Sequence, residues 1–185
     1  VDLSEAIKRA GIKIPVITVG AIMDPATAEK IIAEGKADGV AMARALIADP
    51  YLPEKARTGH KDDIRPCLRC INCSTSDDPI KQHMICSVNP FIGREARNGF
   101  GYSYGKADHP RRVLVIGGGP AGMEAAVVAA ERGHDVVLAE KDGKLGGLLR
   151  FTDSDSLKSD LHDYKGYLIR QVRSHAVKVM LNTSG

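Results

Sequence analysis

Tryptophan is absent from this 185-residue sequence, and all aromatic residues together make up only 4% of it. A surface built to stack unpaired bases relies on aromatic rings, so single-stranded nucleic acid is not an expected partner. Charge of one sign is lacking too: 26 Lys and Arg stand against 23 Asp and Glu, a net charge of +3. The two signs are interspersed, with no basic stripe of the kind that tracks a phosphate backbone. No apolar run approaches a membrane span, and no signal peptide opens the chain. A 43% hydrophobic and 26% charged composition is that of a globular protein. These absences predict a cytoplasmic location and a small-molecule substrate, with no nucleic-acid or membrane partner and homo-oligomerisation left open. The chain starts at Val1 rather than methionine, so its natural N-terminus is expected upstream.

Cysteine is scarce and unevenly placed: all four lie between Cys67 and Cys86. A secreted disulfide framework would spread them along the fold, so the clustering points to metal binding. The pattern is Cys67-x-x-Cys70-x-x-Cys73, then twelve residues to Cys86. Three thiolates at steps of three can converge from one tight loop, and the fourth closes the cage from a distance. Zinc also accepts four thiolates, but zinc ribbons use two separated Cys-x-x-Cys pairs. The triplet is the spacing of ferredoxin-type [4Fe–4S] sites, although the last interval differs. An iron–sulfur cluster on Cys67, Cys70, Cys73 and Cys86 is therefore the leading reading. Zinc, disulfides and unligated thiols are its alternatives.

Regular periodicity flanks this segment on both sides. Residues 3–10 have helical spacing and stop at Gly11, and residues 15–19 form an apolar β-branched run of the kind found in buried parallel strands. Asp24-Pro25 opens a helix that Gly35 closes. Residues 39–43 predict a second strand, residues 45–48 a helical turn, and Asp49-Pro50-Tyr51 ends it. From residue 60 to 110 periodicity fades, and so long an irregular stretch needs something to tie it down. After Arg112 order returns: a buried strand at 113–116, a helix at 120–132, a strand at 136–139 and a loop at 144–155. Leu157, Leu161, Tyr164, Leu168 and Val172 then recur at helical steps, and residues 177–181 predict a third strand.

Gly117-Gly118-Gly119-Pro120-Ala121-Gly122 lies between an apolar strand and a helix, the context in which G-x-G-x-x-G binds nucleotides. Gly117 would permit the tight turn, Gly119 would admit a pyrophosphate, and Gly122 would let helix and strand pack closely. The anion would rest at the helix N-terminus, beside Pro120 and Ala121. Glu140, ending the next strand, can accept hydrogen bonds from both ribose hydroxyls of an adenosine. FAD, NAD and ADP all remain open, and Leu145-Gly146-Gly147, with Gly147 near the cofactor, favours FAD. A third site is set by Gly20 and Ala43-Arg44, each at the end of an early strand. If these are the last two strands of a (β/α)8 barrel, they form its phosphate site. Arg44 would then be the phosphate's cation; as part of an ordinary α/β unit it would be a surface arginine. The six histidines show no spacing for a second metal, and no nucleophile–base pair or carboxylate dyad stands out. No catalytic residue is expected in this chain.

Together these segments resemble the iron–sulfur flavoproteins of the old yellow enzyme family, the branch that includes 2,4-dienoyl-CoA reductase and trimethylamine dehydrogenase. Residues 14–20 resemble barrel strand seven. Residues 40–50 resemble strand eight with its FMN-phosphate arginine, which implies FMN at Gly20, Ala43 and Arg44. Residues 65–73 and 84–90 resemble the cluster-binding segment, and residues 113–122 the first nucleotide fold. The cysteine intervals are similar to those of the amine dehydrogenases, whereas Met42-Ala43-Arg44 is similar to the reductases. The implied fold is α/β: the C-terminal end of a TIM barrel (residues 1–59), an iron–sulfur linker (60–110) and the first half of a Rossmann-like FAD/NAD(P)-binding domain (111–185). The implied activity is an oxidoreductase in which electrons pass from NAD(P)H through FAD (or ADP-bearing fold) and cluster to FMN. Reduction of activated C=C bonds leads, amine dehydrogenation is the alternative, and a zinc-stabilised nucleotide module without redox activity is the alternative of another class.

Overall fold

The computed structural model describes residues 1–74, 84–98 and 103–184. Two compact units divide the chain, Val1–Ile92 and Gly93–Gly185. Both are α/β, and every strand pair in them is parallel.

In the first unit, helix α1 (Asp2–Arg9) precedes strand β1 (Ile17–Val19). Helix α2 (Pro25–Ala33) then crosses over to strand β2 (Gly39–Ala41), which lies parallel to β1 with Thr18 opposite Val40. The start of α2 follows from its sequence: the Asp24 carboxylate accepts the Thr27 N–H at 2.8 Å, and Pro25 occupies the first turn, where no N–H is required. Ile22, Ala28, Ile31 and Ala37 form a small core under the crossover. Strand β2 ends at Ala41, short of the expected 43, because helix α3 (Ala43–Ala48) takes over the backbone there. Helix α4 (Leu52–Arg57) was not expected. Six residues are too few for periodicity to register, although Pro53 and Glu54 in its first turn are helix-start residues.

The second unit carries strands β3 (Arg112–Ile116), β4 (Asp135–Ala139) and β5 (Lys178–Met180) in the order β3-β4-β5. Helices α5 (Pro120–Glu131) and α6 (Ser159–Ser174) cover the sheet, and Met123, Ala126, Leu138, Leu168 and Val172 are fully buried between them. Two expectations need correction. Leu157 does not join the apolar stripe of α6: it lies in a 3₁₀ turn (Ser156–Lys158) ahead of the helix and is 89% exposed. Nor are the strands buried on both faces. Ile17 and Val19 are 67% and 70% exposed, Leu114 and Ile116 62% and 64%, and of β1 only Thr18 turns inward. An apolar run suits a strand covered on both sides, but within each unit helices cover one side.

Among the described residues from 60 to 110, the only regular elements are 3₁₀ turns at Lys61–Asp63, Asn72–Ser74 and Glu95–Asn98. Residues 75–83 and 99–102 of that stretch lie outside the described residues. Among those described, no helix is long and apolar enough to cross a membrane.

Candidate functional site

The cysteine segment is tied to the first unit by two buried polar residues. Asp49, 3% exposed at the end of α3, accepts hydrogen bonds from the Tyr51 N–H (3.0 Å), the Lys55 ammonium (2.6 Å) and the Arg65 N–H (2.8 Å). Lys55 also donates to the Asp63 carbonyl at 2.8 Å, so the chain leading into Cys67 is pinned to α3 and α4. On the far side, Asn89 is 1% exposed; its amide donates to the Ile47 carbonyl at 2.8 Å and its oxygen accepts the Phe91 N–H at 3.0 Å. The segments that carry Cys67 and Cys86 are thus both tied to the C-terminal end of the short helix that carries Arg44. Replacing Asp49 by alanine should destabilise this unit by about 2–3 kcal/mol, below the figure for a fully buried pair because Lys55 keeps some solvent. Thermal melts of the intact protein check the outcome.

All four cysteines line one pocket, walled by Arg44, Ile47, Leu68 and Val88. None is in a disulfide. Among the described residues, no three His, Cys, Asp or Glu side chains are gathered as ligands of a single ion. The triplet turns through left-handed backbone at Arg69 (φ 50°) and Ile71 (φ 61°). For a β-branched isoleucine this conformation is strained, by about 1–3 kcal/mol, and it persists only where the surroundings impose it. Burial raises the Cys67 thiol above its ordinary range, against a 3.4 Å hydrogen bond from the Arg69 N–H and the nearby charge of Arg44. Burial also acts to raise Cys70, but hydrogen bonds from the Ser87 hydroxyl and the backbone outweigh it and bring that thiol below its ordinary value. Gly20, with φ 136°, follows β1, and Ala43 and Arg44 open α3 just after β2. The two residue groups therefore sit at the same end of adjacent parallel strands.

The glycine loop of the second unit is shaped by contacts within the chain. Gly117 adopts φ 100°, and its N–H donates to the Ala139 carbonyl at 2.8 Å. A Cβ on Gly122 would fall 1.8 Å from the Gly117 carbonyl oxygen, so only glycine allows α5 to approach β3. A Cβ on Gly118 would meet the Leu145 side chain at 2.4 Å and the Glu140 carboxylate at 3.0 Å. Gly119 is different: it caps α5 with φ −76°, and its Cβ would meet nothing nearer than the Gly147 Cα at 3.9 Å. Pro120 and Ala121 form the first helical turn. Glu140 is buried, and its two oxygens accept N–H groups of Asp142 (2.9 Å) and Gly118 (2.5 Å). Those two bonds, Asp142 first, hold its carboxyl below the ordinary range. The Gly146 N–H donates to the Gly118 carbonyl at 2.8 Å, laying the 143–147 loop over the glycine loop. Gly147, at φ 50°, is required there by the Gly119 backbone itself: its Cβ would lie 2.8 Å from the Gly119 Cα.

Residues 3–63 match the NADH:flavin oxidoreductase / NADH oxidase family, and residues 112–175 match the FAD dependent oxidoreductases. An NADH oxidase of Thermoanaerobacter brockii is 44% identical over 180 residues, which are 97% of this chain and 27% of that protein. The chain belongs to the NADH:flavin oxidoreductase family. Solved structures of similar proteins agree with this membership. A 2-naphthoyl-CoA reductase in complex with 2-naphthoyl-CoA superposes with a TM-score of 0.90 at 37% identity, covering 100% of this chain and 28% of its own. The 6-hydroxypseudooxynicotine amine oxidase of Pseudomonas geniculata N1 does so at 0.87 and 31%, again over 100% of this chain and 28% of its own. The chain thus spans about a quarter of the length of these relatives.

Asp49, Asn89, Asn72, Ser87 and Gly118 were not among the expected site residues. For the first two a signal existed: each is an Asx residue directly before proline, and each caps the N–H two residues on. Ser87 and Asn72 carry no such local mark.

Proposed function

We propose that this chain is the electron-relay segment of an NAD(P)H-dependent FMN/FAD/[4Fe–4S] oxidoreductase that reduces activated C=C bonds. The observation that carries the proposal is the single pocket shared by Cys67, Cys70, Cys73, Cys86 and Arg44. Its donor set is thiolate only, its other walls are largely apolar, and its loop is held in strained turns, which together fit an iron–sulfur cluster. When bound, the cofactors supply hydride exchange at FMN with substrate and at FAD with NAD(P)H, with single electrons carried between them. The chain's own residues bind and position. Gly20, Ala43 and Arg44 would close the phosphate end of an FMN site on the last strands of a TIM barrel, with residues 1–59 its end, 60–110 the cluster linker and 111–185 the start of the FAD domain. Gly117, Gly119, Pro120, Ala121 and Gly122 would receive the adenine dinucleotide's phosphates, with Gly147 packed beside Gly119. Glu140 would accept the ribose hydroxyls; each of its oxygens uses only one lone pair for the backbone. This reading places the enzyme in the cytoplasm, acting on a small molecule.

The 44% identity to an NADH oxidase and the likeness to a 2-naphthoyl-CoA reductase support the reductase reading. The cysteine intervals and the similar amine oxidase favour amine dehydrogenation as a second one. Steady-state assays of the intact protein with NADH and cinnamate-type acids, against secondary amines with an artificial acceptor, separate the two.

Arg44→Ala tests the layout. FMN content should fall while adenine nucleotide is retained, because only the barrel phosphate loses its charge-assisted partner. Since Arg44 also walls the cysteine pocket, the visible and EPR spectra of the cluster should shift as well. Cofactor analysis showing full FMN in this variant would sink the phosphate role.

A further inference from the structure

Asn72 and Ser87 come from the two separate segments that bring the cysteines together, the triplet loop and the residue after Cys86. The Asn72 side-chain amide donates to Ser87 Oγ at 3.2 Å, and Ser87 Oγ lies 3.3 Å from Cys70 Sγ. A hydroxyl has one hydrogen and two lone pairs. Asn72 takes one lone pair, and a cysteine that ligates a cluster carries no hydrogen of its own, so on the iron–sulfur reading the Ser87 hydroxyl donates to the sulfur and a directed chain runs from amide through hydroxyl to Cys70. Neither residue is a candidate ligand, and neither is buried as Asp49 and Asn89 are.

We propose that Ser87, oriented by Asn72, is a positioning residue that raises the reduction potential of the cluster by donating a hydrogen bond to Cys70 Sγ. The proposal rests on the iron–sulfur reading of the four cysteines. Its physical basis is charge. One electron enters, no bond is made or broken, and Ser87 keeps its proton, so the reduced site carries one more negative charge on the same sulfurs. A hydrogen bond to a thiolate ligand stabilises that extra charge more than the oxidised state, and such bonds are among the determinants of cluster potential. Asn72 contributes by fixing the hydroxyl rotor, so that less freedom is lost when the bond tightens.

The test is an EPR-monitored redox titration of the intact, cluster-loaded protein, with iron and labile sulfide measured on the same samples. Ser87→Ala should retain full iron and make the ratio of reduced to oxidised cluster at a fixed potential fall by about tenfold, a 59 mV shift for one electron. Ser87→Thr, which keeps the hydroxyl, should restore the wild-type midpoint, and Asn72→Ala should give a smaller shift of the same sign. Full iron with an unmoved midpoint in Ser87→Ala overturns the proposal. If Ser87→Ala assembles no cluster, Asn72→Ala decides: a lowered midpoint supports the hydrogen-bond chain and an unchanged one overturns it. Wild type that contains stoichiometric zinc and shows no iron–sulfur spectrum overturns the cluster reading itself, a failure visible before any variant is made.

Discussion

Replacing Cys70 by alanine in the intact protein should abolish stable iron–sulfur assembly while leaving NAD(P)H able to reduce FAD. Reduction of FMN by NAD(P)H should drop to a small fraction of its normal rate. The structure explains why Cys70 is the informative choice. It sits between the two residues of the triplet held in left-handed backbone, Arg69 and Ile71, and its sulfur lies 3.3 Å from the Ser87 hydroxyl. Without a bound cluster the triplet loop has little to offset the strain at Ile71, and the segment loses a covalent staple. Some loss of stability is therefore expected along with the loss of iron. Half-reactions keep that effect from obscuring the answer: stopped-flow reduction of each flavin is followed separately, and FMN reduced chemically should still be reoxidised by substrate. Fast FMN reduction by NAD(P)H in a folded, iron-free Cys70→Ala protein would leave the cysteines a structural role only.

The parts of this protein that were legible in its sequence are those whose cause is local. The Asp24-Pro25 helix start, the parallel strands, the glycine loop before α5 and the clustering of the cysteines each follow from residues adjacent in the chain. The parts that were not legible depend on what packs where. Leu157 fits the helical stripe by spacing but falls outside the helix, because Asp155 caps the Leu157 N–H and turns the chain before α6 begins. Lys165 would be placed on a solvated face by residue type; it is 5% exposed, with its ammonium on Asp153 and Thr152. The cysteine pocket illustrates both cases. Its ligand spacing is plain, yet the Ser87–Asn72 contact links residues 15 positions apart and is set by the fold alone. Arg44 likewise read as an FMN residue from its strand position, and only the folded chain brings it to the cysteines.

Two glycines of one motif should respond in opposite ways to the same added methyl group. Gly122→Ala places a Cβ 1.8 Å from the Gly117 carbonyl oxygen, which is backbone and cannot swing aside. Helix α5 must move off β3, and with it Met123 and Ala126, both fully buried. Overpacking commonly costs about 1–3 kcal/mol, and a backbone clash of this depth belongs at or above the upper end. The second unit should melt earlier in the intact protein, and adenine nucleotide should be lost as a consequence. Gly119→Ala meets no such obstacle: φ −76° is open to alanine, and the nearest atom is 3.9 Å away. The fold should lose only about 1 kcal/mol, the difference between glycine and alanine as a helix N-cap. The methyl would instead occupy the space through which a pyrophosphate reaches the start of α5. Loss of those charge-assisted hydrogen bonds should weaken adenine-nucleotide binding by about one to two orders of magnitude. Calorimetric melting and nucleotide titration of the two variants, side by side, make the comparison. A stable Gly119→Ala protein that binds adenine nucleotide like wild type would remove the pyrophosphate from this loop, whatever the behaviour of Gly122→Ala.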